Sequence, residues 1–293
     1  MNHVLTAIVE PGFFASAPVH VALLIGGVVA VVSGIVGMFT VMRGQSYAGH
    51  ALADISVTGG SGSFLIGISP LWGFAGTSVA AAGVMDLIGV RRPRGRDLAT
   101  GIVRGAGLGL GALFLYWDTT HTSTTGATIT ILFGSMFTID TSVIPLVAAF
   151  SLVAVGIVAA LYRPLLLSSA SSDLAVVRGV RVRATGALCL AAIALAVSLS
   201  ALTIGAILST ALLVGPAATA LRLTARPGLV MIWSAAIGLA ATWLGILLAF
   251  DSYYWPPARQ GWPVSLFVVA LVLLCYLLTL MRPAARGVKP GRG

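Results

Sequence analysis

Residues 19–42 read VHVALLIGGVVAVVSGIVGMFTVM, 24 positions with no Asp, Glu, Lys or Arg. Wound into a helix at 1.5 Å per residue, the stretch is about 36 Å long and crosses the roughly 30 Å hydrocarbon core of a bilayer. The rest of the chain repeats this theme. Of 293 residues, 58% are apolar, 9% are charged and 35 are glycine, and the mean hydropathy is +1.03. Soluble domains carry about 25% charge, so this composition cannot cover a water-facing surface, and a soluble enzyme is excluded. Apolar runs predict spans at 19–42, 46–68, 70–90, 97–117, 141–162, 184–202, 204–222, 228–250 and 262–281. The expected fold is an all-α, polytopic transmembrane bundle of eight or nine helices, eight if 184–222 or the region around 46–68 divides differently. The apolar piece 126–137 is too short to cross and reads as a half-length or re-entrant segment. Pro70, Pro227 and Pro263 fall at helix starts, where a missing N–H costs nothing.

The basic residues orient the bundle. Of 17 Lys and Arg, the only lysine is Lys289. Arg43, the cluster Arg91, Arg92, Arg94 and Arg96, then Arg163, Arg178, Arg181 and Arg183, Arg222 and Arg226, and the tail from Arg282 all fall on one side of alternating spans. Arg259 alone falls opposite, and Arg104 lies within a span. The positive-inside rule makes the arginine-rich side cytoplasmic. The chain reads as a multi-pass protein of the plasma (inner) membrane, with an extracytoplasmic segment 1–18, a transmembrane region 19–281 and a basic cytoplasmic tail 282–293. Residues 1–18 hold Glu10 and no basic residue, which is not the pattern of a cleavable signal peptide. The net charge of +9 belongs to this topology and to contact with anionic lipid, so no nucleic-acid partner is called for. Tyr253, Tyr254, Trp255 and Trp262 cluster at the outer boundary, as an aromatic belt does.

Counting side chains excludes further chemistry. Cys189 and Cys275 lie in separate apolar runs, with neither metal-knuckle nor C-x-x-C spacing. A phosphate-binding P-loop ends in Gly-Lys-Ser/Thr, whereas Lys289 is followed by Pro290. The chain therefore does not hydrolyse ATP by that route, and uphill transport would draw its energy from a partner or an ion gradient. Gly101, Gly105 and Gly109, with Gly107 and Gly111, form small-residue stripes on the fourth span, read as helix packing within the chain.

Ionisable groups inside spans are costly and are functional candidates by default. His50 and Asp54 are four apart and share one helix face, continued by Thr58 and Ser61 as candidate pathway residues. Gly59, Gly60 and Gly62 follow and are expected to weaken the helix there. An imidazole and a carboxylate on one face suit zinc or manganese, although zinc takes about four ligands and this pair is half a site. The competing reading is that His50 and Asp54 hydrogen-bond each other to ease burial. Asp86 and Arg104, toward the cytoplasmic ends of neighbouring spans, are expected to neutralise each other. Asp118 and His121 are placed in an external loop, where they would meet an incoming cation.

Several segments together resemble the membrane permease subunit of ABC importers for zinc, manganese and related metals. Val41-Met42-Arg43 with Gly49-His50-Ala51-Leu52-Ala53-Asp54 is similar to that family's Arg…Gly-Asp-Ala-Leu-Ser-His segment. Ile131-Leu132-Phe133-Gly134-Ser135 resembles its Leu-Phe-Gly-Ser/Asp motif. Ser172-Asp173-Leu174-Ala175 with Arg178-Gly179-Val180 resembles its Asp-x-x-x-Ala-x-x-x-Gly-Val loop, and Gly205 to Leu208 with Leu213 to Ala218 its Gly-Ala-Leu-Leu…Leu-Pro-Ala-Ala helix. Two departures stand out. The family's Asp-then-His order is reversed here, and Val57-Thr58-Gly59 replaces its Leu-Pro-Gly. The donor set on the face is unchanged by the swap.

The resemblance implies a type II ABC importer permease without a resident cofactor, moving a divalent metal or metal chelate. It implies a homodimer in the lipid bilayer, two ATP-binding subunits on the cytoplasmic side and an extracytoplasmic solute-binding protein. His50 and Asp54 would contact the metal. The segment Ser172, Asp173, Leu174, Ala175, Val176, Val177, Arg178 and Gly179 would couple to the ATPase. An ion-coupled secondary transporter with Asp54 as the coupling site is the alternative reading, and a membrane scaffold that transports nothing is a third.

Overall fold

The computed structural model describes residues 13–89, 93–121, 125–134, 136–254 and 261–281. Most of the expected N-terminal segment, the basic tail, Arg91, Arg92, Ser135, Trp255 and Arg259 lie outside these residues. Twelve α-helices and no strand are found among the described residues. Nine take the places of the expected spans: α1 Ala17–Met42, α2 Ser46–Ile66, α3 Pro70–Gly89, α4 Pro93–His121, α6 Ile144–Ala160, α9 Val182–Ile204, α10 Ser209–Leu223, α11 Pro227–Ser252 and α12 Val264–Leu280. The three short ones are α5 Thr125–Phe133, α7 Tyr162–Ala170 and α8 Ser172–Val177. Of the nine, five (α1, α3, α6, α9 and α11) are long and apolar enough to cross a membrane by length and composition alone, α6 counted with the 3₁₀ turn before it. The polar stripe and glycines of α2 lower its hydropathy, and α10 is short, at 15 residues.

The core is organised around α1 and α9. Helix α1 packs against α11, α10, α9 and α6, while α9 packs against α3, α1, α2 and α6. Helices α2, α3 and α4 form a second group, with α2 laid along both of its neighbours, and this group reaches the rest mainly through α9. In lipid, apolar surface alone gives little drive for helices to associate, so small residues that let backbones touch decide the packing. At Gly34 a side chain would meet the backbone of Ala235 on α11 at 2.7 Å, and at Gly37 it would strike the Leu213 carbonyl on α10.

The glycines of α2 act in the same way, and here the expectation of a weakened helix is corrected. Helix α2 runs unbroken through Gly59, Gly60 and Gly62 to Ile66. Gly59 sits against the Gly73 carbonyl of α3, and Gly60 against the Phe74 ring. The absence of side chains there serves contact rather than unwinding.

The real breaks lie elsewhere. Helix α5 stops at Gly134 (φ 82°) and α9 stops at Gly205 (φ 86°), and the two ends abut. A Cβ on Gly134 would hit the Thr203 carbonyl, and one on Gly205 would hit the Leu132 carbonyl. Non-helical backbone at membrane depth must satisfy its polar groups within the protein. The Ala206 N–H donates to the Ile131 carbonyl at 3.0 Å and the Gly134 N–H to Thr130 at 2.9 Å. The short piece expected at 126–137 is thus a helix of nine residues followed by a 3₁₀ turn at Met136–Thr138.

Candidate functional site

His50 and Asp54 lie one turn apart on α2, with the imidazole Nε2 3.9 Å from Asp54 Oδ2. That separation is too long for a hydrogen bond, so the two do not ease each other's burial directly. Arg104 of α4 stands between them. Its Nε donates to Asp54 Oδ2 at 2.5 Å, and its Nη2 lies 3.2 Å from His50 Nε2. A guanidinium can only donate, so His50 Nε2 is the acceptor and the ring proton sits on Nδ1. That nitrogen faces the Thr210 hydroxyl on α10 at 3.3 Å. Arg104 also lies over the Tyr47 ring, 6.0 Å from its centroid. The cluster therefore joins three helices: α2 supplies Tyr47, His50 and Asp54, α4 supplies Arg104, and α10 supplies Thr210.

The expected Asp86–Arg104 pair does not form. Asp86 instead lies 4.0 Å from Arg183 Nε, at the start of α9. The rotation of α4 decides this. Gly107 is buried against Ile55 of α2, and Gly111 against Val57 and Thr58. Arg104, one turn before Gly107 on that face, is thereby turned toward Asp54 rather than toward Asp86. Gly107 and Gly111 thus pack within the chain as expected, whereas Gly105 and Gly109 have open space before them.

Thr58 and Ser61 are buried, and their hydroxyls are already engaged. Thr58 donates to the Gly107 carbonyl at 2.6 Å, and Ser61 donates to Val57 at 2.7 Å. Asp118 is not in a loop; it lies in the last turns of α4 and is buried. The His121 side chain lies outside the described residues.

The triad is unusual in its exposure. The side chains of His50, Arg104 and Asp54 are 40%, 32% and 13% exposed. These ionisable groups open onto the outside of the single chain, near the unfilled Gly105 and Gly109 of α4, a helix whose exposed residues include the apolar Ile102, Leu108, Leu110 and Leu113. A guanidinium at membrane depth does not face lipid; such groups face water, protein or a pathway. Among the described residues no group of three or more His, Cys, Asp and Glu side chains comes together to hold a metal. The imidazole and carboxylate of one chain offer two ligating groups, short of the about four that zinc takes.

A second surface lies at the arginine-rich end. Ser171 caps α8, its hydroxyl accepting from the Leu174 N–H at 3.4 Å, and Gly179 (φ 75°) follows the last turn. Ala175 faces inward and is buried, while Leu174, Val176 and Val177 are exposed, Val177 at 84%. Arg43, in the turn between α1 and α2, donates through Nη1 to the Ser168 hydroxyl of α7 at 2.6 Å. The foot of the helix that carries His50 and Asp54 is thus tied to the segment leading into α8.

Of the groups around Asp54, sequence reasoning named His50 but misassigned Arg104 and omitted Tyr47 and Thr210. Tyr47 was legible, since it precedes His50 by three and shares its face. The 104, 107, 111 spacing also put Arg104 on the glycine stripe that packs. Thr210 carries no signal, because only the fold brings α10 beside α2.

The sequence profile described as the ABC 3 transport family matches residues 17–281. The chain is 28% identical over 230 residues to the manganese transport system membrane protein MntC of Listeria monocytogenes, covering 78% of this chain and 80% of that one. It is 29% identical over 231 residues to the manganese import system permease protein ScaB of Streptococcus parasanguinis, covering 78% and 81%. Among solved structures, PsaBC from Streptococcus pneumoniae in complex with Fab superposes with a TM-score of 0.77 at 24% identity, covering 92% and 93% of the two chains.

Proposed function

The chain belongs to the ABC 3 transport family, and from that premise we propose that it is the membrane permease of an ATP-driven importer for a divalent metal ion. Manganese is the first candidate, since the relatives at 28% and 29% identity are named for it, and zinc suits the same donors. Family membership favours this reading over an ion-coupled transporter centred on Asp54. The observation that carries it is the imidazole of His50 beside the carboxylate of Asp54, partly exposed on the surface of the chain.

A second copy of the chain, related by a two-fold axis, completes the arrangement. An isologous contact sets the same patch on both subunits face to face. Two imidazoles and two carboxylates then surround the axis, a donor set that both manganese and zinc accept. Such a site holds the ion loosely enough to release it inward. The ion arrives from a solute-binding protein outside and leaves on the arginine-rich cytoplasmic side. With nine crossings the N-terminus lies outside and the C-terminus inside. Two ATP-binding subunits dock on the exposed Leu174, Val176 and Val177 of α8, and the Arg43–Ser168 link carries their movement to α2.

Uptake of radiolabelled manganese by vesicles holding the whole importer tests this reading. His50→Ala and Asp54→Ala are each expected to reduce uptake by about tenfold or more, as loss of a metal ligand does, with the complex still assembled. Unchanged uptake in both removes the pair from the pathway.

A further inference from the structure

Arg104 engages the two atoms that a cargo ion would use. Its Nε binds Asp54 Oδ2 and its Nη2 binds His50 Nε2, and those two acceptors are 3.9 Å apart. Two ligands of one metal at about 2.0–2.2 Å can be no more than about 4.4 Å from each other. A divalent ion therefore fits between the same pair of atoms without moving the α2 backbone, but not while the guanidinium is there. Besides this pair, Arg104 meets α2 at the exposed Tyr47 ring, and the seam between the two helices does not depend on that contact. The helix is held to α4 by Gly107 and Gly111, and Thr58 donates to the Gly107 carbonyl. The guanidinium is also partly exposed, so it has a direction in which to leave.

We infer that Arg104 is a tethered competitor of the cargo: a built-in cation that occupies the His50–Asp54 pair between transport events and is displaced by each arriving divalent ion. This rests on the metal-permease reading above and adds a residue that sets its affinity and selectivity. While the site is empty, Arg104 neutralises Asp54, whose isolated charge would be costly at membrane depth. An ion of single charge gains too little from one carboxylate to expel a doubly hydrogen-bonded guanidinium, whereas a divalent ion that also takes the imidazole gains more. The arrangement therefore discriminates by charge and by affinity for nitrogen, and it weakens the site so that the ion can leave.

The test uses the permease–ATPase complex in detergent, with Mn(II) alone as the probe. Equilibrium binding to Arg104→Met is expected to be about tenfold tighter than to wild type or more, the scale of one charge-assisted hydrogen bond. Adding Asp54→Asn is expected to abolish the gain. Without metal the Arg104→Met complex melts below wild type, and Mn(II) restores it; a purely structural ion pair would give the loss without the restoration. Arg104→Lys, which keeps the charge, stays near wild-type affinity. The wild-type complex supplies a readout independent of any variant. An arginine-directed dicarbonyl reagent is expected to modify Arg104 faster when Mn(II) is present, because the ion frees the guanidinium. Labelling that is unchanged or slowed by Mn(II), or an Arg104→Met complex that binds Mn(II) no more tightly, overturns the inference. If His50→Ala and Asp54→Ala still lower uptake in that case, the metal-permease reading survives without the competitor; if they do not, both fall.

Discussion

Two helix seams in this molecule are built by the same device and end in different chemistry. Along one, α1 meets α10 and α11. Gly34 and Gly37 let the backbones touch, the Ser234 hydroxyl donates to the Gly34 carbonyl at 2.9 Å, and the residues lining the contact are buried and uncharged. Along the other, α2 meets α4 through Gly107 and Gly111, and one turn from Gly107 stand Arg104, Asp54 and His50. Close packing explains both seams, but it leaves the first dry and gives the second a charged cluster partly open to the outside. The first holds the fold together. The second presents an imidazole, a carboxylate and a guanidinium that stay partly exposed on the single chain.

The sharpest way to break this contrast is at the dry seam. Gly37→Leu drives a side chain into the Leu213 carbonyl, and neither backbone can yield without parting α1 from α10. Overpacking of flexible cores costs about 1–3 kcal/mol, and a clash with backbone exceeds that range. The expected outcome is loss of the monodisperse permease in detergent, read by size-exclusion chromatography. A Gly37→Leu chain that elutes and melts like wild type would show that the seam is not rigid.

The apolar ridge of α8 comes next, because its apolar residues are exposed where those of the seams are buried. Leu174→Asp combined with Val177→Asp is expected to weaken co-purification of the ATP-binding subunit by about tenfold or more, since central apolar anchors carry most of an interface's energy. The melting temperature of the isolated permease should stay within about 2 °C, as surface substitutions rarely exceed about 0.5 kcal/mol.

Smaller effects sharpen the comparison. Ser33 on α1 and Ser200 on α9 share a buried hydrogen bond of 2.8 Å. The Ser200 hydroxyl also donates to the Ala196 carbonyl at 2.9 Å, so Ser33→Ala strands no hydroxyl and is expected to cost about 1 kcal/mol. Ser200→Ala, which strands Ser33, is expected to cost more, and the double change less than the sum; thermal unfolding of wild type and the three variants reads this. Smallest of all is Gly105→Ala, where a methyl meets nothing within the chain. It should change the stability of the single chain by less than about 0.5 kcal/mol, with any effect confined to association between copies, read by cross-linking. A Gly105→Ala chain that unfolds would mean that α4 packs differently on its outer face.

Much of this architecture could be read in advance. The nine helices in the places of the expected spans follow from apolar run length, and the short piece at 126–137 from its failure to reach that length. The placement of His50 and Asp54 on one face needs only helical spacing. Residues 172–179 stand out through the family resemblance and not through their own pattern, and in α8 Ala175 is inward with Leu174, Val176 and Val177 outward. What could not be read is how far each helix is rotated about its own axis. Asp86 and Arg104 are plausible partners by depth alone, yet Gly107 against Ile55 turns Arg104 to Asp54 and leaves Asp86 to Arg183. The glycines of α2 misled for a related reason. A glycine that weakens an isolated helix and one that admits a neighbouring carbonyl are identical until the neighbour is known.

The amino-acid order alone determined that this chain lives in a bilayer, which helix faces carry its costly polar groups, and that it brings no nucleotide-binding loop of its own. Those properties depend on transfer free energies and on spacing within one helix, both local to the sequence. The tertiary structure alone decided that a guanidinium from α4 sits across the imidazole and carboxylate of α2, and that their open side points out of the chain. Which charges meet is set by contacts between helices far apart in sequence, where a missing Cβ fixes the rotation of each helix to within a fraction of a turn.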